Sequence, residues 1–169
     1  MNYETDVNGA RRLQNFGIIC KIWFGDESGV YNKKEYPLEE DYRELMRTGK
    51  WKSSHGCSGG NKFEWGTPRP YMAGGRTKLL LYDKIEKAIT VDATVKQDEY
   101  YYCDDDCNEE EEFCFKHRNI IDEGRLKVLD IVIPLETIRK LPGFNKFGAK
   151  GDRVAFRVIS EQDYAFLLR

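Results

Sequence analysis

Runs of apolar and β-branched residues, separated by polar turns, divide the chain into short predicted elements. The runs that predict strands cover residues 16–24, 77–82, 88–95, 127–133 and 153–159. The run from Ala88 to Val95 alternates between apolar and polar residues, which is typical of a strand with one buried face. Strands interspersed with a few helical segments predict an α+β fold.

Helical periodicity is strongest directly after Pro37. Apolar residues recur with the spacing of one helical face at Leu38, Tyr42, Leu45 and Met46. Gly49 suits the end of that helix, and Trp51 follows it in a polar stretch. A short helix is predicted over 135–141, and Ser160 is placed to cap a final helix. We therefore expect a curled mixed β-sheet or barrel flanked by two to three helices.

The segments between these elements are polar. Residues 1–15 predict a short helix or a loose arm, and the Gly- and Pro-rich stretch 55–75 predicts a loop. Residues 98–122 are too polar to predict packing, and 143–151 predicts another loop. Neither a repeat nor a linker interrupts the chain, so residues 1–169 are expected to form one domain.

Charge is distributed unevenly along the chain. The formal net charge is −2, yet residues 98–112 hold nine acids and no Lys or Arg, so the remainder carries −2 − (−9) = +7. A basic body suits a polyanionic partner such as nucleic acid. No apolar run approaches the roughly 20 residues that span a bilayer, and the first residues lack a secretory signal, so we expect an intracellular, cytoplasmic protein without a membrane partner.

Motifs for common catalytic chemistry are absent from the sequence. The chain has no Walker loop, G-x-S-x-G, H-E-x-x-H or dinucleotide fingerprint. Its two histidines are His55 and His117, and His55 lies two residues from Cys57. A Cys–His nucleophile is therefore the remaining enzymatic hypothesis.

Soft metal ligands are concentrated in the acidic segment. The pattern is Cys103-x3-Cys107-x6-Cys114-x2-His117, which supplies the four ligands of a structural zinc site. Zinc would explain how so acidic a segment becomes ordered. The alternative is free thiols in a solvated loop, and no other cofactor is required.

Aromatic residues are unusually frequent in polar segments. The chain has three Trp, ten Tyr and nine Phe, and several of them alternate with cations after residue 50. Stacking of nucleobases requires aromatic faces close to cations that hold phosphate. This composition favours nucleic acid as the partner.

The order of elements resembles the YTH domain, a reader of N6-methyladenine in the PUA-like group that also includes the EVE and ASCH domains. The resemblance begins with Lys21 on the first strand, then a helix, then Gly49-Lys-Trp51-Lys-Ser-Ser54 and Gly60-Asn-Lys62. It continues through residues 78–82, 89–95, 124–135, 146–153 and 158–168. The sequence departs from the family at Trp23, where the family has a polar residue, and in the acidic insert.

This resemblance implies a non-catalytic module that flips a modified base, N6-methyladenine in DNA or RNA, into an aromatic cage. Trp51 would form a cage wall, the Lys52 carbonyl would accept the N6–H, and the following serines would orient the base edge. The predicted base-binding residues are Trp51, Lys52, Ser53, Ser54, Trp23, Trp65, Tyr101 and Phe115. The predicted phosphate-binding residues are Lys21, Lys62, Arg69, Arg76, Lys146 and Lys150.

Domains of this type are similar to the target-recognition parts of McrBC-type modification-dependent restriction enzymes, so an effector domain or subunit is an expected partner. Two alternatives stay open. One is an ASCH-like small RNase or hydrolase that uses His55, Cys57 or Lys/Tyr pairs. The other is a zinc-stabilised protein-interaction domain.

Overall fold

The structure is a computed structural model, and it describes residues 2–5, 11–14, 16–24, 51–53, 64–67, 77–84, 86–96, 101–102, 117–152 and 156–169. The strands are β1 (Asn2–Thr5), β2 (Arg11–Gln14), β3 (Gly17–Phe24), β4 (Trp51–Ser53), β5 (Glu64–Thr67), β6 (Lys78–Asp83), β7 (Ala88–Thr94), β8 (Tyr101–Tyr102), β9 (His117–Ile120), β10 (Lys127–Pro134) and β11 (Phe156–Ile159). The helices are a 3₁₀ turn (Glu123–Arg125), α1 (Leu135–Ile138) and α2 (Glu161–Leu167).

The central sheet has six strands in the order β10-β7-β6-β3-β11, with β4 also paired to β3. β3 runs parallel to β6, and every other pair in this sheet is antiparallel. Ile18 pairs with both Leu79 and Val158, while Ile22 pairs with both Asp83 and Ser53. β11 and β4 therefore lie one after the other along the same edge of β3, opposite β6.

The central part of this sheet, formed by β6, β7 and residues 17–22 of β3, is almost entirely buried on both faces. One face packs Ile18, Cys20 and Ile22 against a cluster that extends to Ile121 and Leu126. The other face packs Ile19 and Leu80 against α1, α2 and the segment 141–147. β7 is buried at every position, so the prediction that it has one solvated face was wrong. The polar residues of β7 are buried as well, because α1, α2 and the segment 141–147 cover the face on which they lie.

Edge strand β10 departs from regular pairing in its middle. Val128 pairs with Val91 and Ile133 pairs with Ile89, so four residues of β10 lie opposite one residue of β7. Ile131, within that irregular stretch, is 87% exposed. Such irregularities disrupt the ladder locally and bend the strand.

A smaller sheet continues from the end of β7. Its order is β5-β9-β8, and both pairs are antiparallel. Val95 forms a bridge with Ile121, and the Lys96 N–H donates to the Ile120 carbonyl at 2.7 Å. β9 and β10 therefore follow each other along one edge of β7. A separate antiparallel pair is formed by β1 and β2.

Local sequence explains how α2 begins. The Asp163 N–H donates to the Ser160 hydroxyl and the Ser160 N–H donates to the Asp163 carboxylate, both at 3.1 Å. This reciprocal pair is a capping box, which satisfies two backbone donors that a helix start leaves open. The predicted cap at Ser160 is confirmed.

The fold confirms the α+β class and the five strands predicted from apolar runs. Three predictions for polar segments were wrong. The first residues form the β1–β2 pair rather than a helix or an arm, and the predicted 55–75 loop contains β5. The acidic segment contains β8 and β9, because its ends pair with each other and with β5.

The helix predicted after Pro37 lies outside the described residues. Within the described ranges, no helix is long and apolar enough to cross a membrane.

Candidate nucleic-acid interface

Trp51, Lys52 and Ser53 lie on strand β4, at the edge of the central sheet. Their backbones pair with β3, with Trp51 opposite Phe24 and Lys52 opposite Trp23. The segment is extended because β3 continues past its pairing with β11, and β4 pairs with that continuation. Three of the predicted base-binding residues therefore occupy fixed register positions on a strand.

The same register separates the two tryptophans of this ladder. Trp51 shares the register parity of Ile22, whereas Trp23 has the parity of Lys21. A regular strand assigns successive residues to opposite faces. Trp23 and Trp51 therefore occupy register positions of opposite parity on two paired strands, and the part that each plays in a base-binding cage stays a prediction. Phe115, like Ser54, lies outside the described residues.

The smaller sheet brings two other predicted aromatics to one strand. On β9, Asn119 lies opposite Trp65, and Arg118 lies between Gly66 and Tyr101. Arg118 is 2% exposed and Asn119 is fully buried. Neither residue was predicted from the sequence, because both lie in a polar stretch, residues 116–119, that follows the acidic residues. The ladder places Trp65 and Tyr101 on strands that flank the same buried polar pair.

Lys21 corrects the predicted phosphate-binding set. Its Nζ atom lies 2.6 Å from the Asp152 carboxylate, and its side chain is 5% exposed. The ammonium also donates to the Asp152 carbonyl at 3.3 Å and lies 5.0 Å from the centroid of the Phe147 ring. A buried ammonium with a carboxylate partner is not available to a phosphate in solvent, so Lys21 is removed from that set.

Asp152 closes the loop that covers this face of the sheet. Its carboxylate accepts a 2.9 Å hydrogen bond from the Gly148 N–H as well as the bond from Lys21. Gly148 has φ +71°, and a Cβ there would lie 3.1 Å from Leu135. Positive φ and this close approach together require glycine. The loop is thus fixed at its base, while the predicted phosphate ligands Lys146 and Lys150 are exposed on it.

A polar cluster that the sequence did not predict lies where α2 meets the sheet. The Tyr164 hydroxyl donates to the Asp92 carboxylate at 2.6 Å, and Asp92 is 5% exposed. Beside it, the Lys78 ammonium donates to the Thr94 hydroxyl at 3.2 Å and lies 5.4 Å from the Tyr164 ring centroid. The other Asp92 oxygen, Oδ1, is buried, and no residue in the described part of the chain forms a hydrogen bond with it. Burial, reinforced by the bond to Asp92, raises the pKa of Tyr164 above its ordinary value of 10.0.

Tyr164→Phe should lower the free energy of unfolding by about 1–3 kcal/mol, because the buried carboxylate of Asp92 then loses its phenolic donor. The raised pKa predicts how this effect depends on pH. The contribution is complete below pH 10.0, the value for the unfolded chain, and is lost as pH rises through the higher folded-state value. Denaturant unfolding at neutral pH and above pH 10 measures both effects. Equal stability of the two proteins at neutral pH would contradict the assignment.

The remaining predicted site residues fall mostly outside the described ranges. These are the phosphate candidates Lys62, Arg69 and Arg76, the zinc candidates Cys103, Cys107 and Cys114, and the nucleophile candidates His55 and Cys57. The fourth zinc candidate, His117, pairs through its backbone with Thr67 and Tyr102. Among the described residues alone, no group of three or more potential ligands is placed to hold a metal ion.

No family model matches the chain, and no curated protein or solved structure is significantly similar to it.

Proposed function

We propose that this protein is a non-catalytic nucleic-acid-binding module that holds a flipped, modified base, with N6-methyladenine as the preferred ligand. The observation that carries the proposal is the pairing of Trp51–Ser53 with Ile22–Phe24. It gives the aromatic segment a rigid support, and base recognition depends on side chains held in fixed positions. The mixed central sheet is compatible with a curled sheet, and a PUA-like arrangement of that sheet is part of the proposal.

The chemistry follows from the types of residue in that segment. Trp51 supplies a stacking surface, and the carbonyl of Lys52 is an acceptor for the remaining N6–H of a methylated adenine. Transfer of one methyl group from water is worth only about 0.8 kcal/mol. Stronger preference requires a dry pocket in which an unmethylated base leaves a void. The opposite wall is expected from an aromatic residue of the segment 100–115, together with Trp23 or Trp65.

Phosphate contacts would supply most of the affinity without sequence preference. Lys146 and Lys150 are the exposed candidates in the described part of the chain. Contacts of this kind position the nucleic acid, while the base pocket supplies specificity. In the context of a larger assembly, an effector domain or subunit would act on the methylated DNA or RNA that this module binds.

Wild-type protein should bind a labelled DNA or RNA oligonucleotide with strong salt dependence. Each neutralised phosphate contributes a slope of about −0.9 in log K against log[salt] for duplex DNA and about −0.7 for single strands, because bound counterions are released. Fluorescence anisotropy at a series of salt concentrations measures the slope. Absence of binding to every oligonucleotide would contradict the proposal.

The same samples separate the alternatives. Cleavage of the labelled RNA by the pure protein would favour the small RNase. About one zinc per chain together with no nucleic-acid binding would favour the zinc-stabilised interaction domain. Intact oligonucleotides and saturable binding are the outcome that we expect.

A further inference from the structure

Five cations are grouped around the loop that follows α1. We call them the basic loop surface, and its members are Arg139, Lys140, Lys146, Lys150 and Arg157. In the described part of the chain, none of the five lies within ion-pair distance of a carboxylate. This distinguishes them from Lys21 and Arg125, whose charges are paired with Asp152 and Asp122.

The loop that carries the basic loop surface has few acids of its own. Asp152 is the single acid among residues 139–152, and its carboxylate is neutralised by Lys21. The buried pair therefore contributes no net charge, so the charge of residues 139–152 is that of their cations Arg139, Lys140, Lys146 and Lys150. A concentration of one sign of charge attracts polyanions and accelerates their association.

Two of the five cations are held in position by the loop itself. The Arg139 Nε–H donates to the Phe147 carbonyl at 2.8 Å. An Nη–H of Arg157 donates to the Gly143 carbonyl at 2.8 Å, and its guanidinium lies 4.4 Å from the centroid of the Phe144 ring. Phe144 and Phe147 pack together with centroids 6.0 Å apart, so one aromatic pair supports both contacts.

Each guanidinium keeps most of its donors for a ligand. Arg carries five N–H donors in a planar fork that matches the oxygens of phosphate. Among the described residues, each of these side chains uses one donor for a loop carbonyl. Both side chains are only half-buried. Because the loop already fixes their positions, less side-chain entropy is lost when a phosphate binds.

We infer that Arg139 and Arg157 bind two phosphates of a nucleic-acid backbone as a preordered pair at the basic loop surface. The inference rests on the proposed function and extends it to residues that the sequence did not nominate. A phosphodiester backbone is favoured as the ligand because it carries several negative charges along one strand, and the basic loop surface carries several cations. Lys21 then acts as a positioning residue, since its bond to Asp152 fixes the base of the loop.

The test uses an unmethylated oligonucleotide of mixed sequence, so that base preference plays no part. Arg139→Gln and Arg157→Gln should each reduce the steepness of the salt slope by about one, and the double variant by about two. Lys127→Gln is the matched control, because Lys127 is an exposed cation on β10, away from the basic loop surface. The methylated-to-unmethylated affinity ratio should not change in any of these variants.

Two lysine variants, Arg139→Lys and Arg157→Lys, separate the loss of a phosphate contact from a defect in folding. They keep the charge but lose the fork, so they should retain the wild-type slope and bind about tenfold more weakly at fixed salt. Lysine variants that bind as tightly as the wild type would overturn the inference. Glutamine variants that have the melting temperature and the salt slope of the wild type would also overturn the inference. If such variants still prefer the methylated base, the proposed function stands. A wild-type protein that binds no oligonucleotide overturns both.

Discussion

Asp152→Ala should lower the free energy of unfolding by about 3–5 kcal/mol, because it leaves the Lys21 ammonium buried without its carboxylate. The pair is deeply placed, with the Lys21 and Asp152 side chains 5% and 11% exposed. The substitution also removes the acceptor of the Gly148 N–H. Chemical denaturation of the variant and the wild type measures the difference.

Two further variants show whether the loss comes from the buried charge. Lys21→Met combined with Asp152→Ala should recover much of the stability, because an apolar side chain in place of a buried ion pair is often neutral or favourable. Asp130→Ala removes an exposed acid on β10 and should change stability by less than about 0.5 kcal/mol. An Asp152→Ala protein as stable as Asp130→Ala would contradict the description of a buried pair.

Trp51→Ala should abolish most of the preference for the methylated base while weak binding through phosphates persists. Removal of an aromatic stacking surface costs about 1–3 kcal/mol per base, which is roughly 5- to 150-fold in affinity. A tryptophan that serves the core behaves differently, since its truncation costs about 3–5 kcal/mol of stability. Thermal unfolding and binding, measured on the same preparation, separate the two roles.

Phe166→Ala is a suitable control for the loss of an aromatic side chain. Phe166 is 36% exposed on α2 and belongs to no predicted site. This variant should keep the wild-type preference. A Trp51→Ala protein that melts far below both would assign Trp51 to the core, and a folded one with unchanged preference would move the base site toward Trp65 and Tyr101.

The sequence predicts those parts of the fold that depend on neighbouring residues. Nearly continuous apolar runs predict β3 and β6, because burial on both faces selects such runs, and the alternation of apolar and polar residues predicts β7, although not the burial of its polar positions. The Ser160 cap is equally local, since its partner is Asp163. Elements of this kind require no knowledge of the rest of the chain.

Polar strands were missed because their partners are distant. Glu64–Thr67 becomes β5 only through pairing with β9, more than fifty residues later. Neither segment has the apolar alternation that predicts a strand. Each segment forms a strand because it pairs with the other. Pairing between segments that are distant in the chain is hard to recognise from the local sequence of either one.

The site shows the same limit more sharply. Lys21 resembles a surface cation in the sequence, because the carboxylate that pairs with it belongs to Asp152, which lies 131 residues later. Arg139 and Arg157 are likewise distinguished only by the loop carbonyls that they contact. In contrast, Trp51 was nominated from its immediate sequence, and the structure adds the register of its backbone on β4.

The most direct test of the proposed function is the ratio of dissociation constants for unmethylated and N6-methylated oligonucleotides of one sequence. DNA and RNA versions should be titrated at one fixed salt concentration, so that the phosphate contribution cancels in each ratio. The account predicts at least a tenfold preference for the methylated strand in one of the two, which corresponds to about 1.4 kcal/mol. Equal affinity for methylated and unmethylated strands, in both DNA and RNA, would contradict it.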